Sequence, residues 1–193
     1  AAPWLVAGAL HPNAEITVRG VGINPTRTGI LDVLTAMGAR LKIVARPDQG
    51  GEPVADITVQ SSKLEGTEIG GAIIPRLIDE LPLLALAATQ AKGRTIIRDA
   101  QELRVKESDR IATTVGELTT LGARLEEKPD GMIVYGGAQM RGGLVNSHGD
   151  HRLAMTLAIA GLRASGETII EGAARELMEE TGKKSGLAYD EAR

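Results

Sequence analysis

Apolar positions along the chain form two kinds of run. Three are hydrophobic almost without interruption: Trp4 to Leu10, Leu81 to Ala91 and Leu153 to Leu162. Two are amphipathic: Ile30, Val33, Leu34, Met37 and Ile111, Val115, Leu118, Leu121, followed by Gly38-Ala39 and Gly122-Ala123. Steps of three and four put each amphipathic set on one helix face, and the glycines sit where a helix C′ residue belongs. Short β-prone stretches lie between. Glu15-Ile16-Thr17-Val18 is echoed 79 residues later by Arg94-Thr95-Ile96-Ile97, and 73 residues after that by Glu167-Thr168-Ile169-Ile170. Ala55 to Gln60, and Met132 to Tyr135 behind the Pro129-Asp130-Gly131 turn, read as further strands.

The order helix, strand, helix, strand, strand thus recurs, with the same Gly-Ala stop in the first two copies. Shared order across several elements predicts an α/β domain built by duplication, its repeats packed about a common axis. By this alignment Ala1 corresponds to Glu80, so the first copy lacks the turn matching Ile78-Asp79. The third copy runs out after its strand, and the sequence does not open with Met. The expectation is a fragment of a larger protein, or one half of a pair.

Composition narrows the class. The 193 residues carry 25 acidic and 22 basic side chains, a net charge of −3, which is one domain's worth of chain and no polybasic nucleic-acid or membrane surface. Cysteine is absent, which excludes disulfides, thiolate zinc sites and cysteine nucleophiles. No run approaches the ~18 to 20 apolar residues of a membrane span. With Trp4, Tyr135 and Tyr189 as its aromatics and no Phe, the core must be aliphatic, and single strands of nucleic acid find no stacking platform. A soluble, cytoplasmic chain that binds neither nucleic acid nor membrane is expected.

Charge gathers where helices should begin: Pro75 to Glu80, Arg104 to Arg110, and Asn146 to Arg152. Cations at a helix N-terminus oppose its dipole, and make sense where an anion sits in front of the helix. For Arg104 to Arg110 two readings stand: Ser108 as an N-cap amid solvated charges, or Lys106 and Arg110 gripping a phosphate or carboxylate beside a proton-carrying Glu107. Asp150 and Asp79 equally suit plain helix starts, and His151 a surface position. His11, His148 and His151 make no metal-ligand spacing, and no metal site is expected.

Three strings carry a resemblance: Asn24-Pro25-Thr26-Arg27-Thr28-Gly29, Leu103-Arg104-Val105-Lys106-Glu107-Ser108-Asp109-Arg110, and Gly149-Asp150-His151-Arg152-Leu153-Ala154-Met155. They resemble the enolpyruvylshikimate phosphate synthase family, and residues 1–172 are similar to its C-terminal domain. The resemblance implies repeated βαβαββ units around a pseudo-three-fold axis, and an active site in a cleft against a second domain. It implies transfer of the enolpyruvyl group of phosphoenolpyruvate to shikimate 3-phosphate, with no metal or organic cofactor. Asp79 would hold the attacking hydroxyl and accept its proton. Glu107 would exchange a proton with the methylene carbon, and His151 would hydrogen-bond nearby. Lys106 would bind shikimate 3-phosphate, and Arg110 and Arg152 phosphoenolpyruvate. Glu102 stands where the family often has a substrate-binding Asn, so that role does not carry over. The family's Lys-Ser motif and a further Arg belong to the other domain, so the implied partner is a complementary N-terminal domain or a second copy. A non-catalytic, anion-binding or partner-pairing half-domain is the alternative.

Residues 173–193 depart from the family pattern and form a divergent tail, expected to be helical in part. Gly161, Glu167, Arg175, Glu176, Leu177, Glu179, Glu180 and Gly182 resemble the box of Nudix hydrolases, in which Glu176, Glu179 and Glu180 would hold magnesium, except for Lys183 where an apolar residue belongs. An acidic amphipathic helix accounts for the same residues, and the transferase repeat already explains Gly161 to Gly172.

Overall fold

The computed structural model describes residues 1–172; the Nudix-like residues from Arg175 onward lie outside them. The chain runs α1 (Ala2–Leu10), β1 (Glu15–Gly22), α2 (Gly29–Ala36), β2 (Arg40–Gln49), β3 (Glu52–Gln60), β4 (Glu68–Ile69), α3 (Leu81–Thr89), β5 (Arg94–Ile97), α4 (Arg110–Thr120), β6 (Arg124–Lys128), β7 (Gly131–Tyr135), β8 (Leu144–Asn146), α5 (His151–Arg163) and β9 (Ile169–Glu171). β4 through β7 make one complete βαβαββ unit. The units before and after contribute α1 to β3 and β8 to β9. Each forms its own sheet, in the orders β1-β3-β2, β4-β5-β7-β6 and β8-β9. β4 and β5 pair in parallel, as do β8 and β9, while the hairpin strands pair antiparallel.

The first helices of the three units, α1, α3 and α5, all touch one another. Their sequences require it. α3 is apolar on every side and every one of its residues is buried; α1 is buried from Leu5 to Leu10. A helix with no polar face belongs in the middle of a domain. The amphipathic α4 lies outside this trio, against α3, α5 and the second sheet. Both Gly-Ala stops close as Schellman motifs. Gly38 N–H donates to Thr35 at 2.9 Å and Ala39 N–H to Leu34 at 2.8 Å; Gly122 and Ala123 repeat the pattern onto Thr119 and Leu118 at 2.9 and 3.0 Å. The glycines take φ of +87° and +94°, the left-handed region where a side chain is disfavoured.

Several boundaries move from the sequence expectation. α1 opens at Ala2, because Pro3 fits the first helical turn. α3 stops at Thr89, whose hydroxyl turns back onto the Leu86 carbonyl at 2.7 Å. α5 begins at His151 rather than Leu153, since Asp150 caps it. β2 has no counterpart among the expected strands: it is an exposed edge strand containing Pro47, without the alternation that marks a half-buried one.

Candidate active site

Three turns feed the site, one before each of α3, α4 and α5. Asp79 and Glu80 lie in a single 3-10 turn, Ile78–Glu80, that runs directly into α3. Arg76 fastens the preceding segment to the first unit, donating to the Pro25 carbonyl at 2.7 Å and the Thr28 hydroxyl at 3.1 Å and pairing with Asp32 at 2.9 Å. Ahead of α4, Arg104 is structural: it pairs with Asp109 at 2.8 Å and Glu127 at 2.9 Å and donates to the carbonyls of Lys128 and Pro129 at 2.7 Å. The cap of α4 is Asp109, which accepts from Ala112 N–H at 3.0 Å, and not Ser108. Ser108 Oγ is thereby left to reach Asp150 Oδ2 at 3.1 Å. Asp150 caps α5, accepting from the N–H groups of Arg152 at 2.9 Å and Leu153 at 3.3 Å. The anions expected before α4 and α5 are thus, in this structure, the chain's own carboxylates.

Arg110 is the hub. Its side chain is 1 % exposed, and it carries a full set of partners: Nε to Asp150 Oδ2 at 2.7 Å, Nη1 to Asp79 Oδ1 at 2.9 Å and Nη2 to Glu107 Oε2 at 2.5 Å. Arg152 approaches the same Asp79 at 3.7 Å and Glu80 at 3.4 Å. Burial penalises the Arg110 charge, but the Asp150 hydrogen bond and the surrounding carboxylates outweigh it and raise its pKa. Burial likewise works to raise Asp150, and the Arg110 contact with the two backbone N–H groups holds it below the usual carboxylate range. Glu80 moves the other way: burial pushes it up, with Asp79 adding to the effect, against the pull of Arg152.

The structure therefore links Asp79, Glu107, Arg110 and Arg152 in one cluster. Lys106 stands beside it and pairs with Glu102 at 2.5 Å. Among the described residues His151 has no hydrogen-bond partner, though its place at the start of α5 sets it next to Asp150 and Arg152. Asp150, Glu80 and Ser108 also belong to the cluster; by sequence Asp150 and Ser108 read only as helix caps, and Glu80 had no role. Asp150 carried a signal, since an acid before a helix that starts with two cations has a second task open to it besides capping. Among the described residues, no group of three or more His, Asp or Glu side chains is arranged to hold a metal ion, and no helix is long and apolar enough to cross a membrane.

One complete and two partial βαβαββ units around packed helices, with acids and arginines at the helix starts, make the architecture of an enolpyruvyl transferase domain. Residues 1–175 match the family model for EPSP synthase (3-phosphoshikimate 1-carboxyvinyltransferase), and the chain belongs to that family. It is 64 % identical over 173 residues to the 3-phosphoshikimate 1-carboxyvinyltransferase of Roseiflexus sp. (strain RS-1), covering 90 % of this chain and 40 % of that protein. The same enzyme of Bacillus cereus (strain B4264) is 58 % identical over equal shares. Among solved structures, EPSP synthase from Acinetobacter baumannii superposes with a TM-score of 0.88 at 38 % identity, over 97 % of this chain and 45 % of that one. The enolpyruvyl transferase NikO from Streptomyces tendae follows at 0.71 and 25 % identity, over 94 % and 41 %. The chain spans about 40 % of the length of the curated relatives it matches.

Proposed function

We propose that this chain supplies one wall of an active site that transfers the enolpyruvyl group of phosphoenolpyruvate to shikimate 3-phosphate, releasing phosphate. The observation that carries the reading is a single buried guanidinium hydrogen-bonded to two half-exposed carboxylates, Asp79 and Glu107. The reaction moves two protons, one off the attacking hydroxyl and one onto the methylene carbon. Two carboxylates held on neighbouring nitrogens of one arginine lie within the span of one pair of reacting molecules.

In this mechanism Asp79 accepts the proton of the attacking hydroxyl as the new C–O bond forms at C2 of phosphoenolpyruvate, while Glu107 delivers one to C3. The steps then reverse in role: the C3 methyl group returns a proton to Glu107 as the C–O bond to phosphate breaks. Arg110 and Arg152 balance charge on the carboxylate and phosphate, and Lys106 holds the phosphate of the acceptor. His151 donates a hydrogen bond beside them. Arg110 has to exchange a carboxylate partner for substrate, and the half-exposed Asp79 and Glu107 are the partners that can yield, whereas the buried Asp150 stays. The partner is a complementary N-terminal domain carrying the facing half of the cleft. Phosphorylated metabolites as substrates put the reaction in the cytoplasm.

The test is phosphate release from phosphoenolpyruvate and shikimate 3-phosphate, with this chain alone and combined with an N-terminal domain of the family. Turnover is expected only in the combination, and Asp79→Ala or Glu107→Ala should each lower it by about 10²- to 10⁴-fold. Turnover that survives both substitutions together overturns the assignment.

A further inference from the structure

The cluster around Arg110 lies at the N-terminal ends of α3, α4 and α5. At the opposite end of α3 and α4 is an open cavity of about 690 Å³, lined in part by Gly93, Arg94, Gly122, Arg124, Tyr135 and Gly137. Gly122 follows Arg110 by 12 residues, just past the end of α4, which puts it about 18 Å away along the helix. The two places are separate.

Strand register builds the cavity floor. Arg94 of β5 and Arg124 of β6 both pair with Tyr135 of β7, so two arginines flank one ring with their Cα atoms about 10 Å apart across two strand spacings. The Arg124 guanidinium lies 4.2 Å from the ring centroid. The ring is itself fixed, since its hydroxyl donates to Glu126 at 2.7 Å. Stacking uses the face of a guanidinium and leaves its N–H edge for acceptors in the plane. Among the described residues neither Arg94 nor Arg124 has a side-chain hydrogen bond or a carboxylate partner, and both are exposed. Arg141 adds a third cation near the rim, its Nε 3.3 Å from where a Cβ at Gly122 would stand. The opposing charge, Glu126, is partly neutralised by Lys128 at 3.3 Å.

The first repeat supplies an internal comparison. Glu15, Gln60 and Arg40 occupy the same register there. Gln60 donates to Glu15 at 2.6 Å, and Arg40 donates through Nε and Nη2 to the Ser61 carbonyl at 3.1 and 2.6 Å. That copy satisfies itself. The second replaces the carboxylate with Arg94 and the amide with Tyr135, leaving two cations facing open space.

We propose that this end of the second repeat is a binding site for a small phosphate-bearing metabolite, its phosphoryl group held between the edges of Arg94 and Arg124. Two guanidinium forks match a dianion with three free oxygens better than a carboxylate with one charge and two. The glycines at the rim leave room for the rest of the ligand.

Inorganic phosphate titrated into the 193-residue chain carrying Lys106→Ala and Arg152→Ala, which removes the more accessible cations of the catalytic end and leaves Arg110 buried among its carboxylates, tests this. Backbone amide NMR at constant ionic strength is the readout, with acetate and chloride as parallel arms. Saturating shifts are expected at Gly93, Gly122 and Gly137 with phosphate. Arg94→Gln and Arg124→Gln should each weaken binding by about tenfold, and Glu126→Gln should tighten it. Shifts that chloride or acetate reproduce, or a phosphate affinity unchanged in the Arg94→Gln/Arg124→Gln double variant, overturn the proposal. All three side chains lie at the surface of the sheet, so an unchanged Tm certifies that each variant is folded.

Discussion

Replacing Asp150 with Asn isolates the charge at the centre of the cluster. Asp150 is fully buried and does two jobs: it caps α5 through the N–H groups of Arg152 and Leu153, and it faces the Arg110 guanidinium at 2.7 Å. Asparagine caps a helix about as well as aspartate, so Asp150→Asn keeps the first job and loses the second. Removing one partner of a buried pair costs about 3 to 5 kcal/mol. Asp79 and Glu107 still face Arg110 but are 41 % and 47 % exposed, so they compensate only in part and the lower end, about 3 kcal/mol, applies. Asp150→Ala also loses the cap, for about 1 kcal/mol more. Urea unfolding reads both as a drop in midpoint at constant m-value. The folded-state pKa of Asp150 lies below its unfolded value, so this stabilisation is whole above about pH 4 and is lost as pH falls below that. The gap between the native chain and Asp150→Asn should therefore hold from pH 7 to about pH 5 and close in acid. A loss under about 1 kcal/mol at pH 7, or a gap that closes by pH 6, refutes the buried-pair account.

Glu80 has the opposite linkage: its pKa is raised, so it favours folding below its unfolded value and opposes it as pH climbs through the folded one. Glu80→Gln should raise the urea midpoint at pH 7, with the gain gone below about pH 4; a lower midpoint at pH 7 would mean that the Arg152 pair outweighs burial. Gly142 presses on the segment just ahead of β9, where an added Cβ would collide with the Glu167 carbonyl, whereas Gly116 of α4 faces open space. Gly142→Ala should cost about 1 to 3 kcal/mol or more and Gly116→Ala should gain about 0.5 to 1 kcal/mol; thermal melts giving both the same sign would contradict the packing described. Arg110→Lys replaces a planar fork, whose three nitrogens reach three carboxylates in different directions, with one compact ammonium. In the chain combined with an N-terminal domain it should lower kcat/KM by about 10²-fold or more, and a loss of only a few-fold would remove Arg110 from the reaction.

The repeat was legible because burial leaves a periodic trace. Leu81 to Thr89 is apolar throughout since it lies in the middle of the domain, and Ile111 to Leu121 has one apolar face since it packs on one side. Where burial is slight the trace fades: β2 is an exposed edge strand, and β4 and β8, with two and three residues, are too short for any period. At the site, residue types before helices marked Glu107 and Arg110 under one of two open readings and suited Asp79 equally to a plain helix start; the roles of Asp79, Glu107, Arg110 and Arg152 came from the family resemblance. Which charge meets which was not legible. Glu107 meets Arg110 at helical spacing, but Asp150 meets it from 40 positions away, through packing of α4 against α5. Arg104 shows the converse: a cation in the middle of the motif is spent on Asp109, Glu127 and two carbonyls.

Charge balance within the cluster bears on the proposal that this chain needs a facing wall. Among the described residues Asp79, Glu80, Glu107 and Asp150 pair directly with Arg110 and Arg152, a formal sum of −2, Arg27 adds a weaker pull on Glu80, and Lys106 is engaged by Glu102. An acidic cluster repels phosphoenolpyruvate and shikimate 3-phosphate alike, although it contains the carboxylates the proton transfers need. On the proposed reading these demands are divided between two surfaces: this one holds the proton carriers and the arginines that orient them, and the facing one brings surplus cations. Closure then places the anions between opposed fields and excludes water, which strengthens each contact. Arg110 is released from Asp79 or Glu107 only when a stronger anion competes for it. Substrate binding and the freeing of the catalytic base thereby become one event, and either carboxylate stays occupied while the cleft is empty.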